Sequence, residues 1–172
     1  MNEVQGAPQV ALVTGATRGI GRAIALALAK SGLQVVGTAT SEAGAAKIGE
    51  ALAAHAGCKG IVLDVTDGVA LDAAIAAIVQ QHGGLHVLVN NAGITRDTLA
   101  MRMKDEDWDA VLDTNLKAVF RASRAAIKPM MKQRYGRIVN ITSVVGAAGN
   151  PGQVNYAAAK AGVAGMSRAL AR

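Results

Sequence analysis

The sequence has 172 residues, 51% of them hydrophobic and 17% charged, with 20 glycines. That is enough chain for one buried core and too little for two, too apolar for a disordered segment and too irregular for a collagen-like repeat. The formal charge is +6, but the aromatics are only Trp108, Phe120, Tyr135 and Tyr156, which leaves almost no material for the stacking platforms of a nucleic-acid reader.

At the start, Met1–Gln9 lacks the basic patch and apolar run of a secretory signal. Val10–Thr14 is a β-branched apolar run that stops at Gly15, and the Ala- and Leu-rich stretch Ile20–Lys30, closed by Gly32, predicts a helix. The alternation repeats: strand Gln34–Thr38 and helix Ser41–Ala56, strand Gly60–Asp64 and helix Asp67–His82, strand His86–Asn90 and a long helical region Asp105–Tyr135. Pro129 predicts a kink or break in that region, because it removes a backbone donor and crowds the preceding turn. A fifth strand, Arg137–Thr142, precedes a helix from about Asn155 onward. This pattern predicts an α/β fold: a Rossmann-like doubly wound parallel sheet in three αβα layers, with residues 1–172 as one nucleotide-binding domain. Further C-terminal strands are expected beyond the last helix, and Arg137–Thr142 is expected at a sheet edge.

Cys58 is the single cysteine, so no intrachain disulfide can form, and no Cys/His cluster suggests a metal. No run approaches the roughly 20 apolar residues of a membrane span, and a cytoplasmic, reducing location is expected. The charge is unevenly placed: residues 1–100 carry six basic and seven acidic groups, 101–172 twelve and five, with no carboxylate after Asp113. Lys117, Arg121, Arg124 and Lys128 fall along one helical face. Such a row is either a solvated helix face or a steering surface for an anionic partner.

Chemistry concentrates at the strand ends. Thr14-Gly15-Ala16-Thr17-Arg18-Gly19-Ile20-Gly21 joins the first strand to the first helix, where a phosphate-bearing ligand meets free backbone N–H groups and the positive helix end. The glycines permit the turn and let backbone and ligand approach without a Cβ between them. Dinucleotide folds usually place an acid about 20 residues further on, against the adenosine ribose. Here the second strand ends in Gly37-Thr38-Ala39-Thr40. With no carboxylate there, a 2′-phosphate is not repelled and Arg18 can pair with it, which favours NADP(H) over NAD. Asp64 and Val65 suit an adenine edge, although an acid at a strand end is as often a helix-start residue. Asn90-Asn91-Ala92-Gly93 can tie neighbouring strand ends together and leave room for a ribose. Tyr156 and Lys160 are one helical turn apart, so the ammonium can approach the phenol, and a cation beside a phenol favours its deprotonation. Ser143 offers a second donor to a substrate oxygen.

TGATRGIG, NNAG, Ser143 and YAAAK, in this order and spacing, resemble the short-chain dehydrogenase/reductase family along nearly the whole chain. GTATSE at 37–42, NNAGITRD at 90–97, MRMKDEDW at 101–108 and NITSVVGAAGNPGQVNYAAAKAG at 140–162 are similar to its members that reduce 3-oxoacyl groups on acyl carrier protein in type II fatty acid synthesis. The resemblance implies a catalytic set of Asn115, Ser143, Tyr156 and Lys160. Asn115 would open its helix to hold a relay water, and Ser143 and Tyr156 would bind the ketone oxygen. Tyr156 would give the proton, and Lys160 would hold the nicotinamide ribose. The implied NADP(H) contacts are Gly15, Thr17, Arg18, Gly19, Ile20, Gly21, Thr40, Asp64, Val65, Asn91, Ala92 and Gly93, with Tyr156 and Lys160. The implied partners are an acidic acyl carrier protein, met by Arg134 with Lys132 or Lys128, and further copies of the chain in a tetramer. An acetoacetyl-CoA reductase of polyester synthesis and a catalytically silent assembly subunit are the alternatives.

Overall fold

A computed structural model describes residues 8–172; most of Met1–Gln9, where the leader reading falls, lies outside the described residues. Five parallel strands, β1 (Val10–Val13), β2 (Gln34–Ala39), β3 (Lys59–Val62), β4 (Val87–Asn90) and β5 (Arg137–Asn140), form one sheet in the order β3-β2-β1-β4-β5. The chain moves outward through β2 and β3 on one side of β1, then crosses to β4 and β5 on the other. Neighbouring connections therefore leave β1 and β4 in opposite directions, and a crevice opens at their carboxyl ends. The register is regular there, with Leu12 opposite both Val36 and Leu88.

Strand β1 reads as a continuous apolar run because both its faces are covered. Val10 and Leu12 pack toward Leu71, Ile75 and Ile78 of α3 (Gly68–His82) and Ala122, Ala126 and Met130 of α5 (Ala118–Lys132). Ala11 and Val13 face Ala25 and Ala29 of α1 (Gly19–Lys30) and Ile48 and Leu52 of α2 (Glu42–Leu52). Two cores on opposite faces of one sheet make the expected three layers. Ser41 and Asp67, read as first helical residues, instead cap: Ser41 Oγ accepts from Gly44 N at 3.2 Å, and Asp67 Oδ1 accepts from Val69 N and Ala70 N at 3.0 Å.

The long fourth helical region is broken, but not at Pro129. α4 (Asp105–Leu112) passes into a π-helical turn at Asp113–Lys117, and α5 then continues through Pro129 to Lys132. A proline one turn from a helix end removes a single hydrogen bond, which the last turn tolerates. Strand β5 is shorter than expected and is one edge of the sheet. After it come α6 (Val145–Ala148), which the sequence did not suggest, and α7 (Val154–Leu170).

Helix α5 closes with Arg134 N donating to Met131 O and Tyr135 N to Met130 O, both at 3.1 Å. Arg134 itself sits at φ 56°, the left-handed position that glycine usually fills after a helix. Replacing Arg134 by Gly is expected to raise stability by about 0.5–1 kcal/mol, read as a higher urea midpoint at unchanged slope.

Candidate active site

Thr14, at the end of β1, organises the crevice. Its buried hydroxyl accepts from Asn91 N and Ala92 N at 3.0 Å and donates to Val89 O at 3.3 Å. The Asn91 amide donates to Thr14 O at 2.9 Å and Gly15 O at 3.0 Å. The two turns are thereby locked face to face, as the pairing of adjacent strand ends requires.

Glycine is needed where these turns touch. Gly15 has φ 66°, and a Cβ there would lie 2.9 Å from the Ala92 Cα; at Gly21 a Cβ would run into Gly15 O and the Asn91 amide. At Gly19, φ 56°, nothing lies within 4 Å of the Cβ position, so that face is open. The resulting cleft, about 830 Å³, is lined by Gly15, Thr17, Arg18, Gly19, Ile20, Gly21, Thr40, Asp64, Val65, Asn91, Ala92 and Gly93. Thr38, Ala39, Leu63, Thr66, Ile94 and Thr114 complete the wall and were not among the cofactor contacts expected from the sequence. Asp64 stands beyond the end of β3, and its Oδ1 accepts from Thr66 N at 2.9 Å and Thr66 Oγ1 at 2.7 Å. The acid thus shapes its own turn while facing the cleft.

Asn115 is fully buried in the π-helical turn. Its Oδ1 accepts from Ile94 N at 2.8 Å and its Nδ2 donates to Ile94 O at 2.7 Å. The amide therefore fastens the loop after β4 to the opened helix. A Cβ on Gly93 would lie 2.9 Å from that Oδ1, so the small residue is required by Asn115 as well as by the cleft.

Ser143, Tyr156 and Lys160 do not line this cleft; they lie next to it through β5. Ile141 N donates to Asn90 O at 2.9 Å, which holds the end of β5 against the end of β4. Lys160 Nζ donates to Ile141 O at 2.7 Å and lies 5.6 Å from the centre of the Tyr156 ring. Ser143 Oγ accepts from Val145 N at 3.2 Å, so its own hydrogen is free for a further acceptor. The start of α7 is fixed by Asn155, which is fully buried. Its amide donates to Arg96 O at 3.1 Å and Asp107 O at 3.3 Å, while its Oδ1 accepts from Tyr156 N at 2.7 Å. Only its position beside Tyr156 could have drawn attention to it.

Burial lowers the Lys160 pKa below the ordinary value of 10.5. Between the two values the unfolded chain binds a proton that the folded chain lacks, so the folded state gains stability as pH rises through that window. The cost of burying the charge is fully present below it. The stability of the parent minus that of Lys160→Met is accordingly expected to increase as pH rises toward the ordinary lysine value of 10.5. Urea unfolding of both proteins across that range checks this, and a flat difference would contradict it.

The row of cations on the α4–α5 side is less free than its spacing suggested. Lys117 pairs with Asp113 at 2.9 Å, Arg121 Nη1 donates to Thr66 O at 3.1 Å, and Arg124 lies 5.4 Å over the Phe120 ring. Among the described residues no helix is long and apolar enough to cross a membrane, and no group of three or more His, Cys, Asp or Glu is placed to hold a metal ion.

Residues 9–172 match the short chain dehydrogenase family. The 3-oxoacyl-[acyl-carrier-protein] reductase FabG of Escherichia coli is 56% identical over 164 residues, covering 95% of this chain and 66% of the relative. Its namesakes in Vibrio cholerae and Pseudomonas aeruginosa are 55% and 56% identical over 164 and 166 residues, covering 95% of this chain and 66% and 67% of their own lengths. The chain thus spans about two thirds of the length of these curated relatives.

Proposed function

The chain belongs to the short chain dehydrogenase family, and from that premise we propose that it reduces 3-oxoacyl-(acyl carrier protein) to the 3-hydroxyacyl product with NADPH, in cytoplasmic fatty acid synthesis and as a homotetramer. The observation that carries this reading is the glycine-walled cleft placed beside the Tyr156–Lys160 pair at one end of the sheet. The fit to a dinucleotide is good on this chain's own terms: a turn kept free of Cβ atoms at Gly15 and Gly19 meets the start of α1, where backbone N–H groups favour a pyrophosphate.

When bound, the reduced nicotinamide supplies hydride to the substrate's carbonyl carbon. Ser143, whose hydroxyl hydrogen is uncommitted, and Tyr156 hydrogen-bond the ketone oxygen, and Tyr156 delivers the proton. Lys160 stays behind the phenol, anchored on Ile141 O, with its remaining N–H groups available to a ribose hydroxyl. Asn115 spends its side chain on Ile94, so its part in proton return runs through the backbone of the π-helical turn, where the helical bonding is opened. The 56% identity to a carrier-protein reductase supports the substrate class.

Arg134, held in a left-handed conformation at the exposed end of α5, is the proposed contact for an acidic carrier, with Lys132 or Lys128. Turnover of the carrier-linked substrate is then expected to fall more steeply with salt than turnover of a short neutral thioester. Parallel rate measurements across a salt series test this, and equal slopes would overturn the docking assignment.

A further inference from the structure

The loop that follows β4 and the turn that precedes α7 close on each other. Thr98 N donates to Gly152 O at 2.9 Å, and one residue to the side Gln153 Nε2 donates to Asp97 Oδ2, also at 2.9 Å. A carboxylate can only accept, so the amide nitrogen of Gln153 is the atom that must face it. The far side of that amide is fixed as well, because Gln153 Oε1 accepts from Asn150 Nδ2 at 3.0 Å. Among the described residues Asp97 takes part in no salt bridge, while its neighbour Arg96 lies 3.9 Å from Asp107. The Asp97 carboxylate is therefore engaged with Gln153 rather than with a cation.

Gln153 stands immediately before α7, and its side chain does not cap that helix. Its backbone carbonyl accepts from Ala157 N at 2.8 Å, which closes the first turn of α7, the turn that carries Tyr156. Whatever holds the Gln153 side chain thus also steadies the backbone that aims the phenol. At its other end the same loop is held by Asn115 through Ile94, and between the two Asn155 donates to Arg96 O. The segment from Ile94 to Thr98 accordingly ties the π-helical turn to the start of α7.

We propose that Asp97 is a positioning residue for the reaction, which through Gln153 holds the first turn of α7 so that the Tyr156 phenol meets the ketone oxygen. The proposal rests on the reading of Tyr156 as the proton donor. A displacement of about 1 Å in a reacting group costs on the order of 100-fold in rate, and the backbone contacts at Thr98 and Arg96 that would remain keep the effect smaller here. An interaction that only orients the phenol acts on kcat and leaves KM in place.

The test is steady-state reduction of a short 3-oxoacyl thioester, with NADPH binding followed by nucleotide fluorescence, for the parent, Asp97→Ala, Asp97→Asn, Gln153→Ala and the double variant of the two alanines. Asp97 is exposed and Gln153 half-buried, and circular dichroism checks that each variant is folded. Asp97→Ala and Gln153→Ala are each expected to lower kcat about fivefold, with KM and NADPH affinity within about twofold. Asp97→Asn keeps an acceptor oxygen for Gln153 and is expected to return kcat to within about twofold of the parent. The double variant is expected to match either single one within about twofold, because both delete the same contact. Unchanged kcat in Asp97→Ala, a rise in KM in its place, losses that multiply in the double variant, or an Asp97→Asn no better than Asp97→Ala would each overturn this proposal alone. A Tyr156→Phe variant as active as the parent would overturn the reading of Tyr156 on which it rests.

Discussion

Replacing Tyr156 by Phe is expected to lower ketone reduction about a thousandfold or more while NADPH affinity stays within about twofold. The change deletes one oxygen and leaves the half-buried ring on α7 in place. Lys160 keeps its bond to Ile141 O, and Asn155 still fixes the start of the helix through the Tyr156 backbone. What disappears is the group that can give a proton to the developing alkoxide. The Ser143 hydroxyl remains as one donor, so a residual rate above the uncatalysed background is also expected. Steady-state rates with a 3-oxoacyl thioester, alongside fluorescence titration with NADPH, separate the two effects. Equal loss of binding and turnover would mean that Tyr156 supports the cleft rather than the chemistry.

The second large effect is expected at Gly21. A Val there places a Cβ against Gly15 O and the Asn91 amide, and one of these is backbone already fixed on both sides. Relief requires α1 to move away from the β1 turn, which breaks the pairing between Gly15 and Asn91. A loss of about 3 kcal/mol in urea unfolding is expected, the upper range for overpacking a closed contact, together with loss of measurable NADPH binding. A variant of parental stability that binds NADPH normally would show that the contact is softer than its geometry indicates. Gly19→Ala gives a useful contrast, because nothing lies within 4 Å of its Cβ position and the cost there is confined to the backbone at φ 56°.

The alternation of strands and helices was legible because it is written in local chemistry. β1 and β4 are apolar runs buried along their whole length, each ending in a turn of small or amide residues, and Ser41 and Asp67 mark helix starts through their own side chains. The cleft was legible for the same reason: its wall is mostly the two turns that the glycine and Asn-Asn patterns identify. The features that escaped are set at a distance. The opening of the helix at Asn115 was expected from the family resemblance alone, because the π-helical turn depends on Asn115 meeting Ile94, 21 residues away, and no local pattern encodes that pairing. Pro129 misled because its effect depends on how near the helix end lies, which is decided by the turn at Arg134. Thr14 and Asn155 were given no role from the sequence, yet each is buried and its side chain makes three hydrogen bonds, all of those of Thr14 and two of those of Asn155 reaching other segments of the site. The side chains proposed for the chemistry were thus easier to single out than the residues that position them.

A polar ladder under the site shows how α5 and α7 are tied to the sheet. Asn90 Nδ2 donates to Ser123 Oγ at 3.3 Å and Asn140 Oδ1 at 2.8 Å, and Asn140 Nδ2 donates to Ser167 Oγ at 2.8 Å. Both serines donate onward within their own helices, to Val119 O and Val163 O at 2.7 Å. The chain of bonds leaves these amide and hydroxyl groups satisfied where an unpaired one would be costly. It also sets the spacing between β4, β5 and α7, and so the distance from the cleft to Tyr156.

The central claim is that the glycine-walled cleft and the Tyr156–Lys160 pair form one reaction site. A crystal structure with NADP(H) and an unreactive 3-oxoacyl thioester tests it most directly. The nucleotide is predicted to lie across the carboxyl ends of β1 and β4, with Tyr156 and Ser143 both on the ketone oxygen. A nucleotide seated elsewhere, or a Tyr156 phenol turned away from the bound ketone, would contradict the account.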